Sequence, residues 1–175
     1  MICGVLKRYL LNKHARKLGF KYVATGHNLD DEAQSFIMNV FRNDFRLALR
    51  QSAKPGLIRS KGFVTRVKPL YLVTENETLK YSKINKFPVR YGICPYSKTS
   101  FRRQFLNMLD EFEKRHPSVK YNILKFQETM AENSRSHDYP DIKRCKYCDE
   151  PSARDVCKTC ALIREFEDAT VPKDR

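Results

Sequence analysis

The fold is decided by residues 21–34 of the chain, which spell KYVATGHNLDDEAQ. Their first part, from Lys21 to Thr25, predicts a short buried strand that ends at Gly26. A helix is predicted to begin at about Asp30, with Asn28 or Asp30 as the capping residue. The predicted inward-facing residues of this helix are Ala33, Ile37, Val40 and Phe41. Because a strand here passes through a loop into a helix, the order is typical of a parallel sheet in an α/β domain.

Further elements are predicted on both sides of this stretch. A helix from about Cys3 to Leu18 precedes it, and Gly19 is the expected stop. The apolar stripe of that helix comprises Val5, Leu6, Tyr9, Leu10 and Leu18. Thr74 and Glu77 form a capping box, which predicts a helix through about residue 85. The other predictions are loops over 51–62 and 133–139, strands over 63–67 and 89–91, and helices from 97–100 to 116 and from 118 to 133.

The chain is strongly basic, with 34 Lys and Arg against 20 Asp and Glu and a net charge of +14 over 175 residues. A charge of this size predicts a polyanion partner, since it attracts phosphate groups. No apolar run approaches the roughly 20 residues of a membrane helix, and the first residues lack the pattern of an export signal. We therefore expect a cytoplasmic protein with no membrane partner. Its length fits a main domain over 1–136 and a zinc-binding appendage over 137–175.

The appendage contains four cysteines in two C-x2-C pairs. They are Cys145, Cys148, Cys157 and Cys160. Paired cysteines in a chain without an export signal favour metal binding over disulfides. Four thiolates at this spacing can surround one ion tetrahedrally, so a structural zinc knuckle is predicted, with rubredoxin-like iron as the alternative. Zinc binding would fold this small module.

Two further regions contain residues that could carry chemistry. Asp30 and Asp31 follow the predicted strand at a helix N-terminus, where they are either caps or ligands of Mg²⁺ on a nucleotide. Cys3 lies at a helix start, where a thiolate is stabilised, and Lys7 shares its helix face. Cys94 lies in a predicted loop before a proline. Isolated cysteines are also typical of small core residues, and spacing alone does not separate the two interpretations.

Several motifs together resemble a known family. They are CGVLKRY at 3–9, ATGHNLDDEAQ at 24–34, RVKPL at 66–70, CPY at 94–96, FR at 101–102 and the double C-x2-C. These resemble the PP-loop ATP pyrophosphatases that make 2-thiouridine in tRNA, namely the TtuA-type enzymes and their eukaryotic cytoplasmic counterpart. The 2-thiocytidine synthetases are similar, but they carry a second C-x2-C where this chain has Cys94 alone. The lysidine synthetases lack the cluster cysteines and the zinc knuckle.

The resemblance implies a fold and a reaction. The fold is a Rossmann-like PP-loop parallel sheet with helices, of the adenine nucleotide alpha hydrolase kind, followed by a small zinc ribbon. In the implied reaction, ATP adenylates the C2 oxygen of a tRNA uridine, at position 54 or 34. Sulfur from a ubiquitin-like carrier protein then attacks C2, and AMP leaves. A homodimer is a further expectation of the resemblance.

The same resemblance implies roles for individual residues. A [4Fe–4S] cluster is expected on three cysteines, and Cys3 and Cys94 match two of them. Lys7 and Asp31 match residues that the family places near the reaction. The implied ATP and Mg²⁺ site comprises Gly26, His27 and Asp30.

The chain departs from the family pattern in its front half. No SGGxDS phosphate loop is present, and none of the six glycines is adjacent to another. The first cysteine of the cluster motif would fall one position before Met1, so one expected cluster ligand is missing. The chain is therefore interpreted as half of a split enzyme completed by a separate N-terminal half, as a truncated form, or as a degenerate relative. We predict that it is inactive alone, and the alternative function is a non-catalytic basic tRNA-binding zinc protein.

Overall fold

The computed structural model describes residues 2–49, 62–92, 101–134 and 142–170. These residues fall into two compact units. The first unit contains residues 2–23, 62–66 and 142–170, and the second contains residues 24–49, 67–92 and 101–134. The predicted domain boundary near residue 137 and the predicted loops over 51–61 and 135–139 lie outside the described residues. That boundary stays a prediction.

Helices dominate the described residues, and the strands are short. The elements are α1 Ile2–Lys17, β1 Tyr22–Ala24, α2 Leu29–Phe41, α3 Phe45–Leu49, β2 Thr65–Val67, α4 Glu75–Ile84, α5 Phe101–Arg115, α6 Val119–Asn133, β3 Lys143–Arg144, β4 Pro151–Ser152 and α7 Lys158–Thr170. Strands β1 and β2 are neighbours in one sheet, while β3 and β4 pair antiparallel in another. The predicted α/β class, with a parallel sheet, helices and a C-terminal cysteine group, is confirmed.

Helix α1 in the first unit buries little of its predicted apolar stripe. Only Ala15 is buried, whereas Leu10 and Leu18 are 48% and 68% exposed. The prediction of an inward stripe through Leu10 and Leu18 was therefore wrong. The packed side of α1 instead includes Asn12 and Arg16, which contact residues of the C-terminal module. Gly19 ends the helix as predicted, with a positive φ of 74° that favours glycine.

Helix α2 supplies the core of the second unit. Its buried apolar residues are Leu29, Ala33, Phe36 and Met38. It packs against α3, α5 and α6, and Leu29 joins Tyr71 and Leu124 in a buried cluster. The predicted inward position of Ala33 is confirmed, and Ile37 is half-buried, but the predictions for Val40 and Phe41 were wrong, because both side chains are exposed at the end of the helix.

Local capping determines where α2 and α4 begin. The Asn28 side chain accepts a hydrogen bond from the backbone N–H of Asp31 at 2.9 Å, so Asn28 is the N-cap of α2. The capping box of α4 is confirmed, because Thr74 accepts from the Glu77 N–H while Glu77 accepts from the Thr74 N–H.

Two of the predicted strands differ from those observed. Strand β1 was expected to be buried, but Tyr22 and Ala24 are exposed and only Val23 is half-buried. Its neighbour within the described part of the chain is β2 alone, so most of its surface is left uncovered. The strand predicted over 89–91 is absent from the described residues, where Lys86 has a positive φ of 51° and exposed irregular chain follows. Within the described ranges, no helix is long and apolar enough to cross a membrane.

Candidate functional site

The four C-terminal cysteines converge on one point in the first unit. Their Sγ atoms all lie within 4.8 Å of one another, and those of Cys148 and Cys157 are 3.7 Å apart. Cys145 and Cys157 are buried, while Cys148 and Cys160 are partly exposed. This spacing matches one tetrahedral ligand set for a metal ion, with no position left open for a substrate.

Backbone turns bring the two cysteine pairs together. The β3–β4 hairpin carries the first pair, and Asp149 takes a positive φ of 57° where its N–H bonds to the Cys145 carbonyl. The second pair straddles the start of α7, with Cys157 just before the helix and Cys160 in its first turn. The Cys157 N–H donates to the Cys145 sulfur at 3.2 Å, and the Cys160 N–H donates to the Cys157 sulfur at 3.4 Å.

Electrostatics of the thiols favour a bound cation. Burial raises the pKa of Cys145, but backbone N–H donors, led by that of Cys157, outweigh it and lower the pKa to about 6. Burial and the neighbouring thiols raise the pKa of Cys160. The first thiolate forms readily, but its negative charge opposes ionisation of the other thiols. A bound metal ion would allow four thiolates to coexist. A metal-binding group is thus present, and its occupation by zinc remains a prediction.

Cys3 and Lys7 are both exposed on α1 and lie one helical turn apart on the same face. They are therefore accessible to a substrate or to another polypeptide. Cys94, the second predicted cluster ligand, lies outside the described residues. The pairing of Cys3 with Cys94 stays a prediction.

The loop between β1 and α2 is open at its tip. Gly26 and His27 are exposed, and His27 Nδ1 lies 3.0 Å from the Thr25 hydroxyl. A Cβ at position 26 would meet no atom of the described residues within 4 Å. The predicted nucleotide contact of Gly26 and His27 is compatible with this exposure and stays a prediction.

Asp30 is buried and fully engaged within the second unit. One of its carboxylate oxygens bonds to the ammonium of Lys120, and the other accepts the N–H of Glu75 at 2.6 Å. Lys120 also bonds to Asp110 at 2.8 Å and to Glu113 at 2.7 Å. Lys120 was not predicted from the sequence, because a single lysine in an amphipathic helix is usually exposed. Asp30 therefore caps α4 here, and its predicted role at Mg²⁺ remains untested.

Asp31 is the more accessible of the two aspartates, with its side chain 36% exposed against 6% for Asp30. It pairs with the Arg102 guanidinium at 2.7 Å, and Arg102 Nε donates to Gln34 at 2.6 Å. Arg102 belongs to the short FR motif of the resemblance, so the structure brings that motif to the start of α2. Of the two, Asp31 is the carboxylate that a ligand could reach.

Known proteins resemble this chain over nearly its whole length. It is 34% identical over 174 residues to the tRNA 2-thiolation protein NcsA of Haloferax volcanii, covering 94% of this chain and 54% of that protein. It is 35% identical over 167 residues to the tRNA-5-methyluridine(54) 2-sulfurtransferase of Pyrococcus horikoshii, covering 90% of this chain and 51% of that protein. A solved structure, the U34-tRNA thiolase NcsA from Methanococcus maripaludis with its [4Fe–4S] cluster, matches with a TM-score of 0.75 and 34% identity over 94% of this chain.

All three are tRNA thiolation proteins, and the chain is similar to them at 34–35% identity over at least nine-tenths of its length. The resemblance inferred from the motifs is thereby confirmed. No general protein-family model matches the chain.

The chain spans about half the length of the curated relatives it matches. The same holds for the thiolase structure, of which it covers 52%.

Proposed function

We propose that this chain is the C-terminal part of a tRNA 2-thiolation enzyme and acts together with an N-terminal half. The observation that carries the proposal is its identity to 2-thiolation proteins over more than nine-tenths of its length. In the reaction, the C2 oxygen of a tRNA uridine attacks the α-phosphorus of ATP and pyrophosphate leaves. A sulfur nucleophile then attacks C2, and the oxygen departs with AMP.

The residues of this chain have distinct parts in the proposed reaction. Asp31 is the accessible carboxylate for the Mg²⁺ of the nucleotide, and Arg102 holds it in place. Lys7 stabilises the negative charge that develops at the phosphate or at C2, as a preorganised cation can. Gly26 and His27 line the nucleotide pocket, and Asp30 contributes by holding the start of α2, which follows them, against the start of α4.

Two of the chain's cysteines fit an iron–sulfur cluster, with a third ligand supplied from elsewhere. Cys3 is an exposed thiol on α1, and Cys94 is its proposed companion. A cluster held by three thiolates keeps one iron open, and that iron would supply a Lewis-acidic place for sulfide. The four C-terminal cysteines are proposed to hold zinc in a purely structural site.

The exposed side of α1 is the proposed docking surface for the N-terminal half. A groove of about 510 Å³ there is lined by Lys7, His14 and six apolar residues, among them Leu10, Leu11, Leu18 and Phe20. Exposed apolar surface of this kind marks a site of association. The occupant that fits is the segment corresponding to the other half of the relatives, which would bring the phosphate loop to α1.

The remaining partners follow from the proposed reaction. The net charge of +14 suits a tRNA substrate. A ubiquitin-like carrier as the sulfur donor, a homodimer and a cytoplasmic location stay predictions.

Reconstitution tests the proposed function. The purified chain is incubated anaerobically with ATP, Mg²⁺, sulfide and unmodified tRNA, with or without the N-terminal half of a relative, and 2-thiouridine is measured by mass spectrometry. We expect product only when both halves are present. Product from the chain alone would contradict the need for a second half, and no product with both halves would contradict the proposed activity.

A pair of variants tests the docking surface in the same assay. Leu11→Glu places a charge in the groove and should abolish both association and product. Leu72→Glu changes an exposed leucine of the second unit that does not line this groove, and should leave both unchanged. Equal loss in the two variants would contradict the assignment of the surface.

A non-catalytic basic tRNA-binding zinc protein is the second candidate. The observation in its favour is the large positive charge together with the four-cysteine group. It predicts tRNA binding that is unaffected by the N-terminal half and by substitution of Cys3, Lys7 or Asp31. The reconstitution experiment separates it from the enzyme.

A further inference from the structure

One carboxylate connects the four-cysteine module to α1. Glu150 lies two residues after Cys148 and is only 4% exposed. One of its oxygens accepts a hydrogen bond from Asn12 Nδ2 at 2.7 Å, and the other lies 2.7 Å from the Arg16 guanidinium. Its backbone carbonyl accepts the Cys145 N–H at 2.9 Å. A single residue thus contacts both the helix and the loop that presents the first cysteine pair.

Asn12 extends this connection to the segment before β2. Its amide donates to the Gly62 carbonyl at 3.1 Å, and its side-chain oxygen accepts the Val64 N–H at 2.9 Å. Gly62 in turn lies against Pro151, the residue that follows Glu150, so closely that a Cβ at position 62 would overlap the proline ring. All these contacts lie within the first unit. They form a continuous contact set, here called the Glu150 clamp, of Glu150, Asn12, Arg16, Gly62 and Pro151.

Helical geometry relates the clamp to Cys3 and Lys7. Asn12 and Arg16 are one turn apart and share a helix face. Cys3 lies nine positions before Asn12, and Lys7 lies nine positions before Arg16. At roughly 100° per residue, nine residues make about two and a half turns, so Cys3 and Lys7 lie on the helix face opposite to Asn12 and Arg16. The exposures agree, because Asn12 and Arg16 are half-buried while Cys3 and Lys7 are exposed. Contacts that hold Asn12 and Arg16 in place therefore fix the direction in which Cys3 and Lys7 point.

We propose that Glu150 is a positioning residue: it fixes the rotation of α1 on the four-cysteine module, so that the metal-bound module orients Cys3 and Lys7. The chemical roles of Cys3 and Lys7 rest on the proposed function, whereas the clamp itself does not. A metal ion orders the loop from Cys145 to Cys148, and Glu150 is bonded to that loop through Cys145. Metal binding and the orientation of α1 are thereby coupled.

The coupling has a clear physical basis. A buried carboxylate needs hydrogen-bond donors or cations around it, and Asn12 and Arg16 supply both. If the loop loses its metal and unfolds, Glu150 leaves and Arg16 loses its partner. Removing Arg16 should in turn loosen the loop and weaken metal binding, because the coupling free energy between two sites is reciprocal.

Cobalt(II) provides a direct test on the full chain. Co²⁺ bound by four thiolates has a characteristic visible spectrum, and its paramagnetism shifts the NMR signals of nearby amides in a way that depends on direction. The variants are Glu150→Gln, which keeps the shape of the side chain but removes its charge, and Arg16→Met. The control is Asp155→Asn, which removes an exposed ion pair with Lys143 in the same module without touching α1.

We expect all of these proteins to bind Co²⁺ with the same spectrum. The paramagnetic shifts of the α1 amides should shrink in Glu150→Gln and Arg16→Met, because the helix no longer keeps one orientation. Hydrogen exchange of α1 should accelerate roughly tenfold in these variants, because each loses the ion pair between Arg16 and the buried Glu150. Asp155→Asn should retain the shifts and the exchange rates of the unmodified chain.

Unchanged α1 shifts in both clamp variants would overturn the proposal, as would equal losses in Asp155→Asn. A chain that never develops the Co²⁺–thiolate spectrum would overturn the part of the proposal that links the orientation of α1 to metal binding. Because none of these measurements uses tRNA or ATP, failure of the clamp is distinguishable from failure of the proposed thiolation activity.

Discussion

At the scale of single residues, the two adjacent aspartates of the α2 N-terminus have different environments. Asp30 is buried against Lys120 and the N-terminus of α4, whereas Asp31 is partly exposed beside Arg102. Burial lowers the pKa of Lys120, but its hydrogen bonds to Asp110, Asp30 and Glu113 outweigh that effect and raise it. Lys120 is therefore charged at neutral pH, and it is the cation that makes the buried Asp30 carboxylate tolerable.

Lys120→Met tests this role. The substitution leaves Asp30 buried without its cation, which should lower the free energy of unfolding by about 3–5 kcal/mol. Lys114→Met is the matched control, because Lys114 forms an exposed, solvent-screened pair with Glu111 and its loss should leave the free energy of unfolding nearly unchanged. Urea unfolding measures the free energy of unfolding of both variants. Similar losses in the two variants would show that the Lys120 pair does not stabilise the fold.

Glu75 makes the stability depend on pH. Burial raises its pKa above the ordinary value of 4.5, and the nearby Asp30, Asp31 and Asp110 raise it further. Between the unfolded and the folded pKa, the folded state binds more protons, so the free energy of unfolding falls as the pH rises through this window. Glu75→Gln should remove this decrease in the free energy of unfolding. Above the folded pKa of Glu75, the variant should therefore be more stable than the unmodified chain. The difference should be less than about 1 kcal/mol, because solvent screens the side chain.

Thermal unfolding from pH 4 to 7 would measure the Glu75 effect. The two proteins should converge at the acid end of the range, where Glu75 is protonated in both the folded and the unfolded state. A stability difference that is constant across the range would contradict the raised pKa.

At the scale of elements, local chemistry was predictable and tertiary burial was not. The capping box at Thr74, the stop at Gly19 and the convergence of the cysteine pairs each depend on residues a few positions apart, and each was predicted from the sequence. The inward stripe of α1 and the orientation of Val40 failed because they depend on which surfaces have neighbours. Lys120 was missed for the same reason, since its partner Asp30 lies 90 positions away.

The approach of Gly62 to Pro151 gives a prediction at this scale. Gly62→Ala would push a methyl group into the proline ring and should destabilise the first unit by about 1–3 kcal/mol, the usual cost of overpacking. Gly92→Ala is the control, because a Cβ there meets no described atom within 4 Å. Thermal shift of the metal-loaded chain compares them. A neutral Gly62→Ala would show that the segment before β2 does not pack tightly on the module.

At the scale of the whole molecule, the net charge is the property that bears most directly on tRNA. The excess of 14 positive charges is spread along the sequence rather than confined to one tract, as expected for a surface that contacts several phosphates. If the chain contacts about four phosphates, its affinity for tRNA should fall on the order of a hundredfold between 50 and 200 mM salt, because bound counterions are released on association.

Filter binding or fluorescence anisotropy across that salt range measures the slope. A DNA hairpin of equal length is the matched comparison, since it offers the same phosphate charge without the 2′-hydroxyls and the folded shape of tRNA. Parallel slopes with tighter binding of tRNA would indicate that charge supplies the affinity while shape supplies the preference. An affinity for tRNA that does not change with salt would contradict the electrostatic account, since phosphate contacts cannot form without displacing counterions.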